Sequence, residues 1–263
     1  MSIIYEPAGK AREYSPKACN IYLTCTHNCK YCYAPKAMQR NPENYFVTNP
    51  QPRIGIIEHL KKELGKTRIT EQVLLSFIGD CYCETADNSE TVRQALELFL
   101  AHKTPVAILT KGGARCLKHL DLFKQFGEHI QIGATLTFND EAKSLEWESG
   151  AATPNDRLAT LKTLHENGIR TFASFEPVIE PNESLELMRR TIADNSVDVY
   201  KVGKLNNYMG IDKTIDWTDF LKKTVELLRG ANKAFYIKYD LRAAAPSVKL
   251  YGNEVLSDEH NVY

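Results

Sequence analysis

The sequence is short of several things, and each shortage excludes something. Nowhere in its 263 residues does an apolar run approach the roughly 18 needed to span a bilayer. The opening Met1-Ser-Ile-Ile-Tyr-Glu-Pro has no basic flank leading into an apolar stretch, so no secretory leader is expected. Neither sign of charge is in excess: 33 Lys and Arg face 33 Asp and Glu, and the bulk charge lacks the footprint of a general nucleic-acid binder. With 14 Gly and 11 Pro, both scattered, the chain is neither collagen-like nor low-complexity. No internal repeat is visible, which argues against a solenoid or propeller. Seven cysteines, an odd number, do not make a disulfide framework. They fit a reducing compartment, where a close cysteine cluster binds metal or does chemistry. The expectation is a cytoplasmic protein with no membrane partner.

What is present is an ordinary globular composition, 43% hydrophobic and 25% charged. That is enough chain to bury a large core. Short apolar runs precede amphipathic helical runs again and again. Strands are expected near Ala18–Thr24, Val73–Gly79, Val106–Thr110, Ile130–Thr137, Ile169–Phe175 and Val197–Val202, with a possible seventh at Ala234–Tyr239. Several are nearly continuous apolar runs, as strands buried on both faces must be. Between them, Val92, Ala95, Leu96, Phe99 and Leu100 share one helical face, as do Leu158, Leu161 and Leu164. Thr153-Pro154-Asn155-Asp156 reads as a helix start, with Thr153 as N-cap and Pro154 at the first helical position. Gly168 reads as the stop, and Asp216 as a second N-cap. The segment Ala34–Pro52, with two Asn-Pro pairs, reads as irregular, and the tail from Asp240 shows no period. The pattern predicts an α/β fold with a parallel sheet in a single domain, and either a barrel or an open doubly wound sheet would satisfy it.

The strongest chemical signal is Cys25-Thr-His-Asn-Cys29-Lys-Tyr-Cys32, directly after the first expected strand. Three thiolates in one short loop can converge on an iron–sulfur cluster, since soft sulfur ligands select iron–sulfur or zinc. A cubane held by three cysteines keeps one iron open to an outside ligand. The competing reading is a zinc site made of the same cysteines and His27. That site lacks the second knuckle of a zinc ribbon, and His27 would have to fold back onto its own loop. The loop follows the C-terminal end of a strand, where barrel active sites are built.

This motif, with aromatic Tyr31 before the last cysteine, resembles the radical S-adenosylmethionine (radical SAM) superfamily. The fuller run Cys25-x-His-x-Cys29-x-Tyr-Cys32-Tyr-Ala resembles its spore photoproduct lyase-like branch. Further pieces match in order: Asp80-x-Tyr82-x-Glu84, Thr110-Lys111, Thr135-x-Thr137, Leu145-Glu146 followed by Arg157-Leu158, and Pro177-x-x-x-Pro181. The match runs over about residues 17–205, leaving 206–263 as an extension, and it departs at Trp147 and Glu176.

The resemblance implies a partial (β/α)6 TIM-type barrel with parallel strands, carrying a single [4Fe–4S] cluster on Cys25, Cys29 and Cys32. It implies S-adenosylmethionine bound through the cluster's fourth iron and cleaved to a 5′-deoxyadenosyl radical that takes hydrogen from a substrate. It also implies an electron donor, either a reductase or a flavodoxin or ferredoxin. For the cofactor's own groups, Lys111 suits the carboxylate. Asp80 or Glu84 suits the ammonium or ribose, Thr135 the methionyl end, and Tyr31 the adenine. Arg157, a cation in a helix's first turn, opposes the helix dipole and so points to an anionic partner. Cys81 and Cys83 are expected at the barrel mouth, as a hydrogen-atom donor or as small buried hydrophobes. The substrate is open: a small molecule, a nucleotide or a nucleic acid. The other function class is a non-catalytic iron–sulfur or zinc protein serving redox sensing.

Overall fold

The computed structural model describes residues 2–85, 87–205 and 208–256. Eight strands form one sheet in the order β1 to β8. They are β1 (Ile4–Tyr5), β2 (Lys17–Cys19), β3 (Val73–Leu75), β4 (Val106–Thr110), β5 (Ile130–Thr135), β6 (Arg170–Phe175), β7 (Val199–Val202) and β8 (Ala234–Ile237). From β2 onward every neighbouring pair is parallel, while β1 runs antiparallel to β2. The expected six-strand partial barrel is therefore present with a seventh parallel strand, at the seventh sequence position, and with an antiparallel lead strand too short to read from periodicity. No helix among the described residues is long and apolar enough to cross a membrane.

The sheet does not close on itself by strand pairing. Residues between β1 and β2 reach across the gap. Glu13 accepts from the Tyr236 hydroxyl at 2.5 Å and the Tyr239 N–H at 2.7 Å, and Lys10 pairs with Asp240. Tyr14 crosses the interior, its hydroxyl 2.6 Å from Ser174 Oγ and 2.9 Å from Glu176.

The helices are α1 (Ala34–Ala37), α2 (Pro42–Tyr45), α3 (Ile56–Leu64), α4 (Glu90–Ala101), α5 (Leu120–Phe126), α6 (Glu141–Trp147), α7 (Pro154–Glu166), α8 (Pro181–Ala193), α9 (Trp217–Gly230), α10 (Tyr239–Ala244) and α11 (Gly252–Val255). They bury their apolar faces on the outside of the sheet. Val92, Ala95, Leu96 and Phe99 of α4 meet β2–β5 residues in one cluster, and Leu221, Val225 and Leu228 of α9 meet β6–β8 residues in another. The helix signals hold locally: Thr153 accepts from Asp156 N–H at 3.2 Å, Asp216 from Asp219 N–H at 2.9 Å, and Gly168 takes φ +77° beyond α7. The segment read as irregular carries two short helices, α1 and α2, each with proline in its first turn. The tail read as aperiodic contains α10 and α11.

Two strands end earlier than their apolar runs. β2 stops at Cys19 and β3 at Leu75, and the loops that follow satisfy their backbone with side chains instead. Asn20 Oδ1 accepts from the N–H groups of Phe77 and Ile78, both at 3.1 Å. Asp80 turns the chain, accepting from Tyr82 N–H at 2.8 Å, as aspartates in turns do.

Candidate active site

The cysteine loop leaves β2 at the C-terminal end of the parallel strands and is pinned from two sides. On one side Cys25 N–H donates to Tyr45 O and Val47 N–H to Cys25 O, both at 3.1 Å. On the other, Lys30 N–H donates to Trp147 O at 2.9 Å and Gly150 N–H to His27 O at 3.1 Å. Glycine is needed at 150, because a Cβ there would stand 2.0 Å from Thr26 O. The residues closing α6 thus lie against the loop and place Cys29 opposite Glu148.

The three cysteines are brought together with Cys25 and Cys29 buried and Cys32 partly open. Burial raises the Cys29 and Cys32 thiols, as loss of solvent disfavours a bare thiolate. Cys25 goes the other way: a hydrogen bond with Cys83 holds it well below its usual range, against burial and with help from His27.

Among the described residues, no three His, Cys, Asp or Glu side chains converge closely enough to hold one metal ion. His27 sits between Cys25 and Asp80, its Nδ1 3.5 Å from Asp80 and its Nε2 3.5 Å from an Arg115 nitrogen. A cubane asks for something different, since each cysteine ligates a different iron and the three sulfurs stand farther apart. Three soft thiol donors on one loop, with a lysine beside them, fit such a cluster.

That lysine is Lys111, which follows β4. Its Nζ lies 5.5 Å from the Tyr31 ring centroid. Burial opposes its charge, but nearby Cys29 and Glu148 outweigh burial and raise its pKa. Tyr31 donates to Glu148 and stands 3.3 Å from Thr137 Oγ1. Glu148 Oε2 in turn pairs with Arg157 at 2.5 Å, both side chains sealed from solvent. Burial works against the Glu148 charge, but Arg157 and Lys111 hold its carboxyl below the usual carboxylate range.

Several sequence expectations are relocated by this geometry. Arg157 does have an anionic partner, but it is Glu148 of the same chain. Its other nitrogens donate to Ala152 O and Thr135 O, both at 2.9 Å, so Arg157 supports Thr135 from behind. Asp80 is spent on the scaffold: it accepts from Tyr82 N–H, Thr110 Oγ1 at 2.7 Å and Lys111 N–H at 2.6 Å. It therefore fixes where Lys111 starts. Glu84 is exposed, and its N–H is held by Thr26 Oγ1 at 3.2 Å. Tyr33 is also exposed, with its hydroxyl donating to Phe77 O at 2.9 Å.

Cys81 and Cys83 do not share a face at the barrel mouth, because strand alternation has already ended at Leu75. Cys81 is fully buried in the outer core, with its thiol toward Leu75 O. Cys83 packs against Cys25, Ala34 and Tyr45. The residue that sequence reasoning missed is Glu148. No motif singles it out, and the acid in the matched Leu145-Glu146 pair is Glu146, which is exposed and pairs with Lys30 at 2.8 Å.

The Radical SAM superfamily model matches residues 19–194, covering all the elements just described from the cysteine loop to α8. The chain belongs to the radical SAM superfamily. This radical SAM chain is 30% identical over 162 residues to an uncharacterized protein of Methanocaldococcus jannaschii, covering 61% of this chain and 59% of that one. It is 26% identical over 166 residues to an uncharacterized protein of Mycobacterium tuberculosis, covering 61% of this chain and 48% of that one. It thus spans about half to three-fifths of these relatives. Among solved structures, a spore photoproduct lyase variant with bound AdoMet and dinucleoside spore photoproduct superposes with TM-score 0.66 at 11% identity, over 89% of this chain and 79% of that one. Streptococcus suis SuiB bound to S-adenosylmethionine gives 0.63 at 15%, over 89% and 53%. At these identities the radical SAM fold is what is shared.

Proposed function

We propose that this chain is a radical SAM enzyme that holds one [4Fe–4S] cluster on Cys25, Cys29 and Cys32. The observation that carries the reading is Lys111, directly after β4, with its Nζ 5.5 Å from the ring centroid of Tyr31, which lies between Cys29 and Cys32 on the cysteine loop. Bound there, cluster and S-adenosylmethionine would together supply one-electron cleavage of the sulfonium to a 5′-deoxyadenosyl radical, which takes hydrogen from the substrate.

The chain's own residues have definable tasks. Lys111 offers a fixed cation to the cofactor's carboxylate, a point charge on a buried stem. Asp80 positions it by accepting from its backbone N–H. Tyr31 presents an aromatic face near the same point, oriented by Glu148 and Thr137. Arg157 keeps Glu148 ionised and braces the end of β5 through Thr135 O. Thr135 closes β5 at the mouth of the parallel strands, and we assign it to the methionyl part. Glu84 is exposed, and we assign it to a ribose hydroxyl of the cofactor. Cys83 lies against a cluster cysteine, and Cys81 is walled into the core, so we assign neither as the hydrogen donor. An electron comes from a protein donor, and the substrate class is left to experiment.

The test is anaerobic reconstitution with iron and sulfide, then reductant and S-adenosylmethionine. The expected outcome is 5′-deoxyadenosine from wild type and none from Cys29→Ala. A protein that takes up four irons but neither binds nor cleaves S-adenosylmethionine would instead be a redox sensor.

A further inference from the structure

We propose that Glu176 and Lys238 form a recognition site for the ammonium and carboxylate of a free α-amino acid substrate. The proposal rests on the radical SAM reading above and names the substrate class of that enzyme. Glu176 directly follows β6 and Lys238 directly follows β8, so both lie at the end of the parallel strands from which Lys111 leaves β4. The two pair at 2.5 Å. Tyr14 ties them together: its hydroxyl donates to Glu176 at 2.9 Å, and its ring centroid is 4.4 Å from Lys238 Nζ. The same ring meets that of Phe77 at 6.2 Å, and Phe77 O accepts from the hydroxyl of Tyr33, the neighbour of Cys32. A short run of contacts thus joins the pair to the cysteine loop. The tasks proposed above use none of these residues, and Glu176 is a position at which the sequence departs from the family run.

The pair is held but not saturated. Tyr14 and Lys238 both donate to Glu176 Oε2, whereas Oε1 is sealed from solvent with no hydrogen-bond partner among the described residues. A buried acceptor without a donor is rare and costly, and it points to a donor that binds there. Gly203, directly after β7, lets the two side chains meet: a Cβ there would stand 2.9 Å from both Glu176 Cδ and Lys238 Cδ, and 3.0 Å from Oε1. Charge selects the ligand. Lys201 and Lys238 lie over the Tyr14 ring, and Glu13 and Glu176 flank Lys238, so two cations balance two carboxylates. A purely anionic ligand such as a phosphate would meet Glu176, and a purely cationic one would meet Lys238. A ligand carrying both charges matches both. In an α-amino acid the ammonium and carboxylate share one carbon, close enough to reach two side chains already in contact. Its ammonium takes Oε1 as Lys238 swings to its carboxylate, so one buried pair becomes two charge-assisted pairs. The two termini of a long peptide are too far apart to do this.

The test measures equilibrium binding of each common α-amino acid, one at a time, to the reconstituted protein with S-adenosylmethionine. Wild type is expected to bind at least one of them saturably. Blocking either charge of that ligand, as its N-acetyl derivative or its methyl ester, should weaken binding at least tenfold. E176Q and K238M should each do the same from the protein's side. G203A keeps both charges but presses a methyl group on both side chains. It should also lose at least tenfold, and it covers the case that a charge variant does not fold. Saturable binding of no amino acid overturns the proposal, as does a Kd within tenfold of wild type in G203A or in folded E176Q or K238M. So does equal binding of the N-acetyl derivative, which would make the ligand a capped or peptide-like group. Formation of 5′-deoxyadenosine is read separately, with dithionite as reductant. Its formation without amino-acid binding sinks this proposal alone, whereas binding without its formation sinks the enzymatic reading and leaves the site standing.

Discussion

Glu148 Oε2 and Arg157 Nη2 stand 2.5 Å apart with neither side chain open to solvent. The pair joins the end of α6 to the first turn of α7, and through Tyr31 it reaches the cysteine loop. Breaking a buried pair strands one charge, which typically costs about 3–5 kcal/mol. Glu148→Gln should lose stability on that scale in urea unfolding of the metal-free protein. If its midpoint matches wild type, the pair contributes no more than a surface contact.

The cysteines can be sorted by iron content. Replacing Cys25, Cys29 or Cys32 with Ala should each lower iron after reconstitution. Cys83→Ala should leave it at the wild-type level, although Cys83 touches Cys25. Iron loss in Cys83→Ala comparable to that in Cys25→Ala would make Cys83 part of the ligand set.

Lys111 should act on the cofactor and not on the metal. Lys111→Met is expected to weaken S-adenosylmethionine binding at least tenfold in equilibrium titration, with iron content unchanged. The raised pKa keeps Lys111 charged throughout the neutral and mildly alkaline range. Its contribution to binding should therefore be flat between pH 7 and 9, and a fall in affinity over that interval would point to another group.

His119 should make stability depend on pH. Burial, aided by Arg93 and Lys118, lowers its pKa from 6.5 to about 4, and the ring shares a 2.9 Å hydrogen bond with the Tyr82 hydroxyl. Between those values the unfolded chain binds a proton that the folded chain does not. Stability therefore falls as pH drops from 6.5 towards 4, by up to about 3 kcal/mol. Denaturant midpoints at pH 5 and pH 7 should converge in His119→Phe relative to wild type. An unchanged gap would assign the pH dependence elsewhere.

The β/α order, most strand and helix positions and the cysteine triplet were legible in the sequence alone, because each is local. Buried parallel strands need continuous apolar runs, helices need a 3.6-residue stripe and caps, and the cysteines sit within one turn of loop. The family resemblance rested on that same local order. Tertiary structure decided what local pattern cannot carry. Strand alternation placed Cys81 and Cys83 on one face, but the chain leaves the sheet at Leu75, and Asp80 folds the next residues into a turn. Arg157 had an anionic partner, yet only packing could show that it is Glu148, nine residues back on another helix end. Asp80 read as a free carboxylate until the fold brought Thr110 and Lys111 to it from β4. Hydrogen-bond saturation and charge pairing arise between segments distant in sequence, so a carboxylate's availability for a ligand is a property of the fold and not of its motif.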